Sequence, residues 1–231
     1  MSIESEIEKY CFSTEIFWDN MPLSIYRELK KHSSLMHFKK NDIMYREGTI
    51  PKGLYIIKHG TAKLYLINAD GKEQIVYFLT KGNFYGHRSM IGNNSSLFFI
   101  TALEDCEVEI IDRTNFLLLI QNSITLNKLL LEHIGNEYRV LINKISFFTL
   151  KSVNERIAIA ILFVNQKINS LPESKKLFYI NKTDLANFAG TIPETLSRFL
   201  NNLKIKGIVD VKGRKIIIND REALIKMAKI I

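Results

Sequence analysis

The stretch Asn181 to Ile218 reads NKTDLANFAGTIPETLSRFLNNLKIKGIVDVKGRKIII, and its pattern decides the fold of the last third of the chain. Thr183 is placed to cap a short helix through Leu185, Ala186, Phe188 and Ala189. Gly190 permits a sharp turn between two helices. Thr191 is placed to cap the second helix, with Pro193 in its first turn, where a missing N–H costs little. That helix buries Leu196, Leu200 and Leu203, at steps of 4 and 3, and turns Glu194, Ser197, Arg198, Asn201 and Lys204 outward. Gly207 ends it. Two short strands, Ile208 to Val211 and Lys215 to Ile218, flank the turn Lys212-Gly213. Helix, turn, helix and β-hairpin make a winged helix-turn-helix.

The physics of that module fits duplex DNA. A recognition helix presents its N-terminal polar residues to base edges in the major groove, while its dipole and nearby cations hold phosphates. Arg198 matches the O6/N7 edge of guanine, and Glu194 can accept from a cytosine amine. Thr195, Ser197 and Asn201 share this surface. Lys204, Lys206, Lys212, Arg214 and Lys215 are expected to contact phosphates collectively, and Lys182 is a further DNA-binding candidate. Structural alternatives stand beside these roles. Glu194 lies three residues after Thr191 and could complete a capping box. Ser197 could be a small exposed residue, and Arg198 a surface ion-pair partner.

Charge points the same way. Residues 1–150 hold 17 Lys/Arg and 17 Asp/Glu, whereas residues 151–231 hold 15 and 7, so the whole net charge of +8 sits in the last third. A basic excess confined to one segment marks a polyanion-binding domain.

Upstream, Lys151 to Ser170 reads as an amphipathic helix with Val153, Ile157, Ile161 and Val164 on one face. Asn169 to Glu173 breaks it, and Leu177 to Ile180 is a short strand candidate. From about Thr114 to Phe148 the chain has no Pro and one Gly. Leu131, Ile134, Tyr138, Leu141, Ile145 and Phe148 recur there at steps of 3, 4, 3, 4, 3. That is an a/d seam suited to pairing with a second copy; a helix packed on its own barrel is the alternative. Leu130 and Val140 lie off the seam and are placed to pack on the barrel.

From about Leu35 to Asp112, short apolar strands alternate with turn signals at Gly53, Gly60, Gly71, Gly82 and Gly92, as in a jelly-roll barrel. Ala62 to Leu66 alternates as a half-buried strand, Asn68 to Gly71 turns the chain, and Gln74 to Leu79 returns. Phe98 to Ala102 and Glu107 to Asp112 are expected to pair around Glu104-Asp105. The fold class is therefore α+β. The expected domains are a barrel sensor over residues 1–115, a dimerisation helix and hinge over 116–150, and a DNA-binding domain over 151–231. No apolar run reaches the roughly 18 residues of a membrane span. The polar start of the chain does not read as a signal peptide. Cys11 and Cys106 form no paired motif, so a reducing cytoplasm is the expected setting.

Barrel, long helix and winged helix, in that order, resemble the Crp/Fnr superfamily of bacterial transcription regulators. The most specific segment is Gly190-Thr-Ile-Pro-Glu-Thr-Leu-Ser-Arg198, whose Glu194, Ser197 and Arg198 look like the Fnr branch. Gly53 to Gly60 and Gly82 to Gly86 look like the family's barrel pattern. The resemblance implies a homodimer, an inverted-repeat DNA site with TTGA-like half-sites, and RNA polymerase as a further partner. It places an effector pocket near Phe84, Gly86, His87, Arg88 and Ser96. Cyclic-nucleotide-binding members carry a Phe-Gly-Glu turn and, about ten residues later, an Arg-Ser pair. Here the turn reads Phe84-Tyr85-Gly86-His87, and Asn94-Ser95-Ser96-Leu97 stands where the phosphate arginine belongs. An uncompensated buried phosphate is costly, so cAMP and cGMP are not expected. Two cysteines cannot hold the four-cysteine cluster of Fnr-type oxygen sensors. Haem on His87 is an open alternative. No cofactor and no metal is expected, although an unknown small-molecule effector fits. Two rival functions remain: a basic C-terminal domain that binds a protein, and a cupin-type metalloenzyme. The enzyme reading lacks a His-x-His pair among His32, His37, His59, His87 and His133, so no catalytic residue is assigned.

Overall fold

The computed structural model describes residues 7, 9–10, 14–168, 180–213 and 215–229. The expected break at Asn169 to Glu173, the strand Leu177 to Ile180 apart from Ile180, and Arg214 lie outside the described residues. The chain divides into two compact units, one of residues 12–139 and one of residues 1–11 with 140–231. No helix among the described residues is long and apolar enough to cross a membrane.

The first unit opens with helices α1 (Glu15–Asp19) and α2 (Leu23–Lys30). Strands β1 (Ser33–Phe38), β2 (Ile43–Tyr45), β3 (Gly53–His59), β4 (Ala62–Ile67), β5 (Glu73–Leu79) and β6 (Phe84–Tyr85) follow. Then come α3 (His87–Ile91), β7 (Phe99–Ala102), β8 (Cys106–Asp112), α4 (Arg113–Asn122) and α5 (Ile124–Leu150), the last running on into the second unit. The strands form two four-stranded antiparallel sheets, ordered β1-β8-β3-β6 and β2-β7-β4-β5. β4 and β5 make the expected hairpin, with Gly71 at φ 78°, a backbone conformation that favours glycine. A register shift between Leu64 and Tyr65 interrupts the strict alternation: both are buried, whereas Leu66 is exposed.

Two expectations fail here for topological reasons. β7 and β8 do not pair with each other; β7 lies between β2 and β4, and β8 between β1 and β3. The short Leu103–Asp105 connection crosses between sheets, with Leu103 N–H donating to Thr61 O. The long helix is also two helices, broken at Ser123 in extended backbone. Ser123 Oγ accepts from Leu126 N–H, and Asn127 Nδ2 donates to Ile120 O at 2.7 Å. These side-chain bonds compete with the backbone ladder and stabilise the corner. Asp112 ends the barrel and caps α4, accepting from the amides of Thr114 and Asn115, a contribution of about 1 kcal/mol.

The core of this unit joins Leu54, Ile56, Phe84 and Ile111 of the first sheet to Phe116 of α4 and to Leu126, Leu129 and Leu130 of α5. Leu130 packs on the barrel as expected, whereas Val140, also buried, belongs to the second unit.

The second unit holds α6 (Val153–Phe163) with a π turn over Val164–Ile168, then α7 (Lys182–Ala189), α8 (Pro193–Ile205), β9 (Val209–Lys212), β10 (Lys215–Ile218) and α9 (Arg221–Ala228). Ser152 and Glu155 form a reciprocal capping box at the start of α6. β9 and β10 are an antiparallel hairpin. Ile157, Ile161, Leu185, Phe188, Leu196, Leu200, Leu203 and Leu224 are all buried, a helical core with the hairpin appended.

Candidate DNA-reading helix and sensor site

α7 and α8 form the helix-turn-helix, and their ends are set by different residues from those the sequence suggested. Asn181, not Thr183, caps α7: its Oδ1 accepts from Asp184 N–H at 2.7 Å and its Nδ2 donates to Asp184 Oδ2. Thr183 is already within the helix. α8 begins at Pro193 with Ile192 as its N-cap and no side-chain cap. Thr191 therefore does not cap it, and its amide is engaged with Ala186 O. Glu194 completes no capping box and stays exposed in the first turn. Gly190, at φ 65°, makes the left-handed turn between the helices.

α8 buries Leu196, Phe199, Leu200 and Leu203. Glu194, Arg198, Asn201 and Lys204 are exposed, and Thr195 and Ser197 are half-buried beside them. Arg198 Nη2 donates to Thr195 Oγ1 at 3.3 Å, which leaves most of its guanidinium donors outward. Lys182 and Lys212 are exposed and Lys215 half-buried. Asp210 lies 3.4 Å from Lys204 and 3.9 Å from Lys212. Its carboxyl is held below the usual range by Val211 N–H first and then, against slight burial, by Lys204.

In the first unit, β6 ends in Gly86 at φ 98°, where an added Cβ would meet Gly53 O at 2.6 Å. This turn launches α3. His87 is fully buried, its ring edge-on to Phe84 at 4.9 Å. Its Nε2 lies 3.1 Å from Glu137 Oε1 on α5. His133, one turn earlier on α5, places Nε2 3.3 Å from the same oxygen. Arg88 Nε lies 3.4 Å from Glu137 Oε2, and its guanidinium stands over Phe98. Burial lowers the His87 imidazole below its ordinary pKa, against the pull of Glu137. Burial also opposes ionisation of Glu137, but hydrogen bonds from His133 and His87 and the Arg88 charge hold its carboxyl below the usual carboxylate range. Ser96 is buried, but its hydroxyl bonds both the carbonyl and the amide of Phe98, so it shapes the loop.

Comparison with known proteins decides the family. Residues 35–123 match a cyclic nucleotide-binding domain and residues 155–227 a Crp-like helix-turn-helix domain. The chain is 31% identical over 194 residues to electron transport regulator A of Shewanella oneidensis, spanning 80% of this chain and 75% of that protein. It is 29% identical over 197 residues to the fumarate and nitrate reduction regulatory protein of Escherichia coli, spanning 82% and 76%. The chain belongs to the Crp/Fnr family of transcription regulators. The structure of FixK2 from Bradyrhizobium japonicum shares the fold, with a TM-score of 0.73 at 21% identity over 84% of this chain and 96% of that one. The protein is accordingly a DNA-binding transcription regulator whose signal is not identified by its relatives.

Within the Crp/Fnr barrel, the expected pocket residues divide. Phe84, His87 and Arg88 come together against His133 and Glu137 in the middle of α5, Gly86 supplies the turn, and Ser96 is spent on its own loop. Sequence reading missed His133 and Glu137, and with them the convergence of two imidazoles and a carboxylate whose ligand atoms lie within 4.8 Å of one another. The available signal was the spacing of four between His133 and Glu137, which puts both on one helix face. His87 comes from a separate element, so no local motif announces it.

Proposed function

We propose that this regulator acts as a parallel homodimer that reads an inverted repeat with TTGA-like half-sites. The observation that carries the DNA-reading surface is the division of α8. Its apolar residues are buried, whereas Glu194, Arg198 and Asn201 are exposed on the other face, behind an N-terminus with no side-chain cap. Arg198 is assigned to guanine and Glu194 to a cytosine amine or a neighbouring base. Thr195, Ser197 and Asn201 line the same surface. Lys182, Lys204, Lys212 and Lys215, with Arg214, are assigned to phosphates. Dimerisation is assigned to the α5 seam, where Leu131, Tyr138 and Ile145 are 69%, 66% and 59% exposed in the single chain and Ile134, Leu141 and Phe148 lie between them. The division into a sensor over 1–115, a dimer helix over 116–150 and a reader over 151–231 belongs to the same reading.

RNA polymerase is the further partner proposed. Cyclic nucleotides are not the proposed effectors, because His87 follows the turn where the ribose-binding carboxylate would stand and Ser96 is engaged with Phe98. Titration calorimetry with cAMP or cGMP is expected to show no binding tighter than millimolar. The reading of DNA against a protein partner is tested with a mixed duplex pool. Binding should weaken steeply with salt, since each phosphate contact releases counterions. Salt-independent binding, or none at low salt, would contradict it.

A further inference from the structure

The cluster on α3 and α5 is unused by DNA reading. Its carboxylate is 2% exposed and its two imidazoles 0% and 4%. Phe17 and Phe84 pack on the His133 ring, with centroids at 5.6 Å and 4.5 Å, and Phe84 also faces His87. Both Nε2 atoms converge on one oxygen, Glu137 Oε1, at 3.1 Å and 3.3 Å. Ligands bound at about 2.0–2.1 Å around a tetrahedral ion stand roughly 3.3 Å apart. The two short edges of the triangle therefore already have the dimension of a coordination shell. The third needs only a side-chain adjustment within the 4.8 Å that encloses all three atoms.

We propose that His87, His133 and Glu137 bind one divalent first-row transition ion. The donor set chooses the class. Two imidazoles and one carboxylate suit zinc, iron, cobalt or nickel; hard magnesium and calcium prefer all-oxygen shells, and copper(I) prefers sulfur. Three protein ligands leave a position open, as in sites that exchange a water or a small molecule. Arg88 sets the affinity. It pairs with Glu137 Oε2, so its charge competes with an ion for the carboxylate. The site ties α3 to α5 within the sensor unit, so filling it braces the helix against the turn that follows β6. The proposal is independent of the DNA assignment, and its test contains no DNA.

The full chain is stripped with EDTA, exchanged into chelator-free buffer and titrated with Co²⁺ alone. One Co²⁺ per chain is expected, with visible d–d absorption, and Zn²⁺ displaces it. His133→Gln and Glu137→Gln, checked for fold by circular dichroism, should each weaken binding by about tenfold or more. His32→Gln and His37→Gln, which alter imidazoles outside the cluster, should bind like the wild type. No stoichiometric Co²⁺ binding by the wild type, or wild-type binding by folded Glu137→Gln, overturns the proposal. Should the ligand variants fail to fold, Arg88→Gln carries the test: removing the competing guanidinium tightens Co²⁺ binding, and unchanged or weaker binding overturns the proposal.

Discussion

Arg156 holds the DNA-reading unit together through backbone carbonyls. Its Nε donates to Ala189 O at 2.9 Å, Nη2 to Gly190 O at 3.1 Å, and Nη1 to Lys151 O at 3.0 Å. Two of these carbonyls close α7, where the helix has no partners of its own to offer and the dipole favours a cation. Arg156→Ala should destabilise the reader by roughly 2–3 kcal/mol, since several charge-assisted bonds are lost at once. Arg156→Lys keeps the charge but not the fork and should recover only part. Denaturant unfolding measures both; an Ala variant as stable as the wild type would contradict the role. Glu109 is the matching residue of the barrel. It is buried and paired with Lys30, and its oxygen lies 3.5 Å from Lys58. Burial pushes its carboxyl up, but the bonds from Lys30 and Ser33 and the two lysine charges outweigh that, leaving it below its ordinary value. A depressed carboxylate contributes stability that is present above the unfolded-state value of about 4.3 and is lost as pH falls below it. The melting temperature should therefore drop on acidification through that range, and Glu109→Gln should flatten the drop. An acid limb identical in both proteins would contradict this assignment.

At the scale of elements, α5 carries two seams and only one was legible in sequence. The outer seam of Leu131, Ile134, Tyr138, Leu141, Ile145 and Phe148 is nearly all apolar, so its heptad spacing stands out. The inner face of Leu126, Leu130, His133, Glu137, Val140, Lys144 and Phe147 follows the same steps and is buried throughout. Three polar residues interrupt it, and periodicity of apolar residues does not see them. Each has partners supplied by distant elements: His133 and Glu137 meet α3, while Lys144 Nζ stands 3.8 Å over the Phe188 ring of α7, a cation–π contact. Strands and the helix-turn-helix were legible because turn glycines and local spacing encode them. Sheet partners of β7 and β8 were not, because pairing across two sheets is a long-range property. The cap of α7 was misplaced by two residues because several polar side chains compete for the same few amides, and that of α8 by one because the N-cap position falls on Ile192, which has no side-chain acceptor. The outer seam makes a direct prediction. Ile145 is exposed in the single chain, so Ile145→Lys should leave the chain folded. In a dimer it replaces two buried side chains, each worth about 1.5–3 kcal/mol, with unpaired charge. Dimer dissociation should rise by at least about a hundredfold. Light scattering reads it, and a wild type that is monomeric at every concentration, with or without DNA, would sink the seam.

For the whole molecule, function is divided along the chain. Residues 1–150 are electrically neutral in sum, whereas residues 151–231 carry the entire net charge of +8. That distribution confines nonspecific attraction to polyanions to the last third of the chain. On the proposed assignment, base preference rests on a few side chains of α8 and affinity on the lysines around it. Selection from randomised duplexes by the wild type, Arg198→Ala and Lys212→Ala separates the two contributions. The wild type should enrich a TTGA…TCAA inverted repeat with half-sites about 10–10.5 bp apart, centre to centre. Arg198→Ala should lose about 1–3 kcal/mol per half-site and relax the preference at the guanine alone. Lys212→Ala should weaken all sequences alike and flatten the salt dependence. An Arg198→Ala protein that keeps the wild-type preference and loses only overall affinity would make Arg198 a phosphate contact and contradict the assignment of α8 as the element that reads the sequence.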